Sequence, residues 1–296
     1  MENGHQLDRN SGNKGRSEFM KNLRRYKKST SAMVGFAMLL VVVIVAAFAP
    51  QFAPHDPIQQ NIRASFQPPS AEHWLGTDQY GRDILSRLIF GTRISLTVGI
   101  LVVVIGAGSG TVIGLIAGWY GGKVDLIISR GFDILLSFPG ILLALVILTV
   151  LGPSLFNALL ALAISSIPRF GRVARGQTLS VRENEYVLSS TASGASNWRI
   201  MIRHLLPNIA APLIVLSTLQ VGGTILQAAT LSFLGLGAQP PTPEWGMMLS
   251  SGRDYMREAP WLTTYPGIAI MFSVLAINLF GDGLRDILDP RLRGER

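Results

Sequence analysis

Five stretches of this chain hold no Asp, Glu, Lys or Arg: residues 29–55, 94–122, 134–168, 204–243 and 259–281. A helix needs about 20 apolar residues to cross the hydrocarbon core of a bilayer. In lipid its backbone polar groups must bond within the segment. Each stretch is long enough for one crossing. Gly152-Pro153 reads as a tight turn dividing the third stretch, so the sequence predicts six spans, at 32–49, 94–118, 126–151, 155–172, 209–234 and 263–281. The fold class expected is therefore an all-α integral membrane protein. Residues 32–49 are longer than the roughly 7–15 residues of a secretory signal's apolar core, which favours an uncleaved span.

The basic residues are distributed unevenly around these spans. With the N-terminus inside, inner segments carry 20 Lys/Arg and outer segments 6. That is the bias that orients membrane proteins, and it explains the net charge of +8 without a nucleic-acid partner. Residues 1–30 form a basic tail with eight Lys/Arg, 31–93 the first span and outer segment, 94–282 a transmembrane core, and 283–296 a second inner tail. The chain has no cysteine. It has no GxxxxGK[ST] string to cradle ATP phosphates, no HExxH and no GxSxG. His55, His73 and His204 stand apart in sequence. No catalytic residue, bound cofactor or metal site is expected.

Within the spans, Gly106, Gly110, Gly114 and Gly118 recur every four residues on one helical face, where a neighbouring backbone can approach closely. In the third span Arg130 and Asp133 are expected to pair at i, i+3, and Pro139 to kink the helix. Ser217, Gln220, Thr224 and Gln227 lie on one face of the fifth span. Polar groups are costly against lipid, so this stripe is a candidate wall of a translocation path. No Asp, Glu, Lys or Arg is expected at mid-membrane, which weighs against an ion-coupled secondary transporter.

Two polar regions interrupt the apolar pattern. One, about 170–207, reads as a short helix, a turn at Gly194 and a second helix capped by Ser196. Trp198, Met201, Ile202 and Leu205 are expected to share the apolar face of the second helix. The other, residues 51–93, contains Asp78, Arg82, Asp83 and Arg87, which are expected to cap helices and pair on a solvated face.

Tyr186-Val187, Ala192, Gly194-Ala195-Ser196, Trp198-Arg199, His204 and Leu206-Pro207 resemble the cytoplasmic coupling loop of bacterial ABC importer permeases. Leu188-Ser189-Ser190 stands where that family usually has Glu-Ala-Ala. His73-Trp74-Leu75-Gly76-Thr77-Asp78 with Gly81-Arg82-Asp83, the 235–246 segment and the ending Asp282–Arg291 resemble the dipeptide, oligopeptide and nickel importers. The resemblance covers about residues 30–296.

It implies a type I importer fold in the bacterial inner membrane, with both termini cytoplasmic. The chain would form half of the path, with a second homologous permease, two ATPase subunits that use ATP, and an extracytoplasmic binding protein. By this resemblance Tyr186, Val187, Ser189, Ser190, Ala192, Gly194, Ala195, Ser196 and Pro207 couple to the ATPase. Trp74, Asp78, Arg82, Asp83, Arg87, Gln239, Glu244 and Trp245 are candidates to face the receptor. With no His or carboxylate cluster in the spans, short peptides are expected as substrate in preference to nickel, with glutathione as a further alternative. A non-transporting membrane scaffold is the remaining rival.

Overall fold

The computed structural model describes residues 29–288. The basic tail expected before residue 29 and the end of the C-terminal tail from Asp289 onward lie outside them. The described residues are helical, apart from turns and one isolated bridge between Thr77 and Asp83. In order they are α1 (Thr30–Ala47), α2 (Ala49–Phe52), α3 (Ile84–Tyr120), α4 (Gly122–Leu136), α5 (Gly140–Leu151) and α6 (Leu155–Val181). There follow α7 (Glu185–Ala192), α8 (Asn197–Ile200), α9 (Leu206–Phe233), α10 (Trp245–Gly252) and α11 (Trp261–Leu288).

The helix starts follow local chemistry. Ser29, Asp83 and Ser154 cap α1, α3 and α6, each side chain accepting from the N–H three residues on. Helix α3 ends at Gly121, whose φ of 62° a side chain disfavours.

Among the described residues, four helices are long and apolar enough to cross a membrane, and the bent pair α4–α5 makes up to five. The remaining expected span, the fourth, lies in α6, a 27-residue helix whose second half carries Arg169, Arg172 and Arg175. The expected boundaries shift with it. Helix α3 begins at Ile84, inside the segment assigned to the outer loop, and α6 continues through Val181, so the polar loop proper begins near residue 182.

The largest helix–helix contact is between α3 and α6, along the glycine stripe. A Cβ at Gly110 would lie 2.5 Å from the Ile167 carbonyl oxygen, and one at Gly118 2.7 Å from Thr178 Cβ. The close approach read from the four-residue spacing is therefore present, and it leaves no room for a methyl group.

The third expected span departs from its prediction. It is two helices meeting at 89° across Ser137-Phe138-Pro139, a break where a kink was expected. Pro139 supplies no N–H and caps α5 from an extended conformation (ψ 130°), so the first helix cannot continue through it. The expected Arg130–Asp133 pair is loose, at 3.8 Å. Asp133 instead accepts from Arg172 Nη2 at 2.6 Å, and Asp125 forms a two-pronged pair with Arg175. Both acids of α4 are thus held by α6, across the helix interface.

Candidate functional site

At one end of the bundle, α7, a turn and α8 form the loop between α6 and α9. Gly194 takes φ 78°, and the Ser196 hydroxyl accepts from Arg199 N at 3.4 Å, so turn and cap stand where the sequence puts them. Val187 is the anchor: 1% exposed, it packs with Ile200, Leu205, Ile209, Phe170 and Ala174. The expected apolar face of the second helix is split. Met201 and Leu205 are buried, whereas Trp198 is 69% and Ile202 41% exposed.

A π-turn over Met201–Leu205 explains part of the split. Pro207 has no N–H for the ordinary ladder, and the widened turn shifts the buried face onto Ile200, Met201, Leu205 and Ile209. Tyr186, Leu188 and Trp198 are left as exposed apolar groups on this loop. Ser189, Ala192 and Pro207 are also exposed, while Ser190 and Ala195 are half-buried. The Ser190 hydroxyl is spent within its own helix, donating to the Tyr186 carbonyl at 2.8 Å.

The polar stripe of α9 is not uniform. Ser217 donates to the Leu213 carbonyl of its own helix at 2.7 Å. Thr224 is 1% exposed, its hydroxyl without a hydrogen-bond partner among the described residues, so it packs inward and leaves the expected wall. Gln220 and Gln227 are half-buried. Gln220 Oε1 accepts from Arg169 Nη1 at 2.6 Å. Gln220 lies about three turns past Ile209, so a cation reaches the stripe within the span.

At the opposite end, residues 53–83 and 234–260 fold together into a cap. Arg82 Nε donates to Asp78 Oδ2 at 2.6 Å. Arg87 Nη1 donates to the Pro57 carbonyl at 2.9 Å and the Pro241 carbonyl at 3.4 Å, tying both segments to α3. Trp261 Nε1 donates to the Thr77 carbonyl at 3.1 Å. Glu244 caps α10 through Met247 N and accepts from Ser95 on α3. Burial pushes the Glu244 carboxyl above its usual range, partly offset by these donors.

This geometry overturns the solvated-face reading. Asp78, Arg82, Asp83, Arg87, Glu244 and Trp245 are all below 5% exposed, so they hold the cap together and present no side chain for docking. Of the eight proposed receptor-facing residues, only Trp74 and Gln239 are exposed.

Comparison with known proteins places this architecture. Residues 110–294 match the family described as the inner membrane component of binding-protein-dependent transport systems, and residues 19–69 match the N-terminal transmembrane domain of oligopeptide transport permease C. The chain belongs to this transport family. It is the permease component, and ATP hydrolysis resides in separate subunits.

The permease is 49% identical over 270 residues to the dipeptide transport system permease DppC of Alkalihalophilus pseudofirmus, covering 91% of this chain and 89% of that one. It is 44% identical over 271 residues to the glutathione transport system permease GsiD of Pectobacterium atrosepticum, covering 91% and 90%. Among solved structures, it matches a chain of the inward-facing MetNI methionine ABC transporter with a TM-score of 0.55 at 20% identity, covering 69% of this chain and 97% of that one. That likeness speaks to the fold.

Several contacts of the permease had no signal in the sequence. Arg169–Gln220, Arg172–Asp133 and Arg175–Asp125 each join residues 39 or more apart in the chain. His55 and His73, separated in sequence, meet with ring centroids 4.7 Å apart and planes tilted by 40°, beside Asp83.

Proposed function

We propose that this permease passes short peptides, delivered by an extracytoplasmic binding protein, through a path that it forms with a second, homologous permease. Of two ATPase subunits beneath the permease pair, one would dock on the α7–α8 loop, which then faces the cytoplasm together with both termini. The uneven Lys/Arg distribution supports that orientation. The observation that carries the reading is the loop itself. Val187 fixes it in the core, while Tyr186, Leu188 and Trp198 stay exposed as apolar groups for a partner to cover.

In this reading ATP binding closes the ATPase pair and moves the loop as a body with Ile200–Ile209, and the spans reorient to alternate access. Gln220, Gln227 and Ser217, with Arg169, line the path. A cation there attracts the carboxylate that every free peptide carries, and the amides offer hydrogen bonds without sequence preference. The peptide assignment also has support from the relatives named for dipeptide transport and from the oligopeptide permease domain match.

The test is uptake in a strain lacking this gene alone, comparing labelled dipeptide, glutathione and nickel ions. Loss of dipeptide uptake, restored by the wild-type gene, is the expected result. Loss confined to glutathione or nickel would replace the substrate and keep the permease. Unchanged uptake of all three would overturn the peptide reading.

A further inference from the structure

His55, His73 and Asp83 converge in the cap from three separate points of the chain. His73 Nδ1 lies 2.9 Å from Asp83 Oδ1, and His55 Nδ1 lies 3.7 Å from the same oxygen. Two ligands of one ion, each about 2.1 Å from it, stand roughly 3–4 Å apart; the His55–Asp83 separation falls in that range, and the His73–Asp83 hydrogen bond lies at its lower edge. Asp83 is held for this role from behind. Its second oxygen, Oδ2, accepts from Ser86 N at 2.8 Å and from Ser86 Oγ at 2.7 Å. Ser86 Oγ also accepts from the backbone N–H of His55 at 3.0 Å, fixing the extended segment that carries the first imidazole.

Two further observations point to a ligand. The Nδ1 atom of His55 is buried yet has no hydrogen-bond partner among the described residues, which is costly for a polar atom unless something binds it. The Asp83 carboxylate is 1% exposed, and the imidazoles are its only ion-pairing groups within 4 Å among the described residues. The nearby arginines are committed elsewhere: Arg82 and Arg87 pair with Asp78. Beyond the Ser86 donors, His73 and the N-terminus of α3, this carboxylate has no guanidinium partner among the described residues, so a cation beside its Oδ1 would add to its compensation. The three residues line a cavity of about 130 Å³ that Asp56 and Glu72 also border. That volume has room for an ion and a fourth ligand, either one of those acids or water.

We propose that His55, His73 and Asp83 bind a divalent transition-metal ion, of the kind imidazole and carboxylate favour together. The ion staples the 54–59 segment to the 73–83 loop at the start of α3. It is a resident structural ion of the cap, separate from the substrate path along α9, and it does not depend on which substrate is carried.

The test uses the whole transporter complex, purified on a tag without histidines, stripped with a chelator, and dialysed against Zn2+ or Ni2+ before metal quantification and thermal unfolding. Wild type should hold one more ion per complex than the His55→Ala variant, with at least tenfold weaker binding in the variant. Added ion should raise the melting temperature of wild type and not of the variant. His55→Ala removes a half-exposed ring, so its melting temperature without metal should match wild type. His73→Ala and Asp83→Asn should also lose the ion. If wild type binds neither ion, or if His55→Ala binds it as tightly, the site does not exist. Because the readout is ion content and not uptake, this result is separable from the peptide-transport test.

Discussion

The Trp245 indole N–H donates to the Leu88 carbonyl at 3.1 Å, joining residues 157 positions apart and fastening the second cap segment to the start of α3. Trp245 is 1% exposed and belongs to the core that includes Ile84, Leu96, Met248 and Leu262. Gly91 lies against the same ring: a Cβ there would be 2.7 Å from Trp245 Cδ1.

Replacing Trp245 with Ala should therefore cost about 3–5 kcal/mol, the usual range for emptying a large aromatic site. Trp245→Phe keeps most of the volume and loses the hydrogen bond, for about 1 kcal/mol. Thermal unfolding of the purified complex should rank wild type, Phe and Ala in that order. Equal melting temperatures for all three would show that the cap does not contribute to stability as its packing implies.

Gly194→Val should disturb coupling without disturbing the core. A Cβ at Gly194 meets open space, so the penalty comes only from φ 78°, about 1–2 kcal/mol for a residue other than glycine. Gly194→Asn, which tolerates that region better, should behave nearly as wild type. Receptor-stimulated ATPase activity should fall for Val and persist for Asn, with complex assembly measured alongside. Full activity of the Val variant would remove the turn from the coupling role.

Arg169→Gln should lower uptake while leaving the complex assembled, because the guanidinium is exposed and its partner is a single side chain. Arg169→Lys should restore part of it. If Gln and wild type transport equally, the pair is a structural link only.

Glu244 predicts a dependence on pH. Its carboxyl is raised in the folded state, so the folded protein holds this proton more tightly than the unfolded chain. The stabilisation it provides is complete below the ordinary glutamate pKa of about 4.3 and is lost as pH rises through the folded value. Glu244→Gln removes that loss. The variant should gain on wild type as pH is raised from about 4.3, measured as the difference in melting temperature. A difference that stays constant with pH would refute it.

The spans and glycine seam were legible because lipid permits few solutions: charge-free stretches must be helices, and glycines four apart must meet a neighbour. Gly194 and Ser196 were legible because φ sign and capping are local properties. Asp78, Asp83, Arg82 and Arg87 were misread for the opposite reason. Charge in sequence suggests solvent, and their burial depends on partners such as Pro57 and Pro241 that only tertiary folding brings near. Ile202 failed through a change of helical phase at the π-turn, which no uniform 3.6-residue period can contain. The break at Pro139 was seen in position and underestimated in size, since proline marks a boundary but neighbouring helices set its angle.

Helix α3 is unbroken for 37 residues, a rod of about 55 Å, whereas the hydrocarbon layer it crosses is about 30 Å thick. One end is fixed in the cap by Asp83 and Arg87; the other runs beside α6 to Gly118, whose carbonyl accepts from Arg182 at the threshold of the α7–α8 loop. A displacement at either face is thus delivered to the other by a single strut without a joint. In the proposed reading, timing between substrate delivery at one face and ATP hydrolysis at the other is then a matter of rigid geometry, and a proline inserted midway along α3 would desynchronise the two faces while leaving each intact.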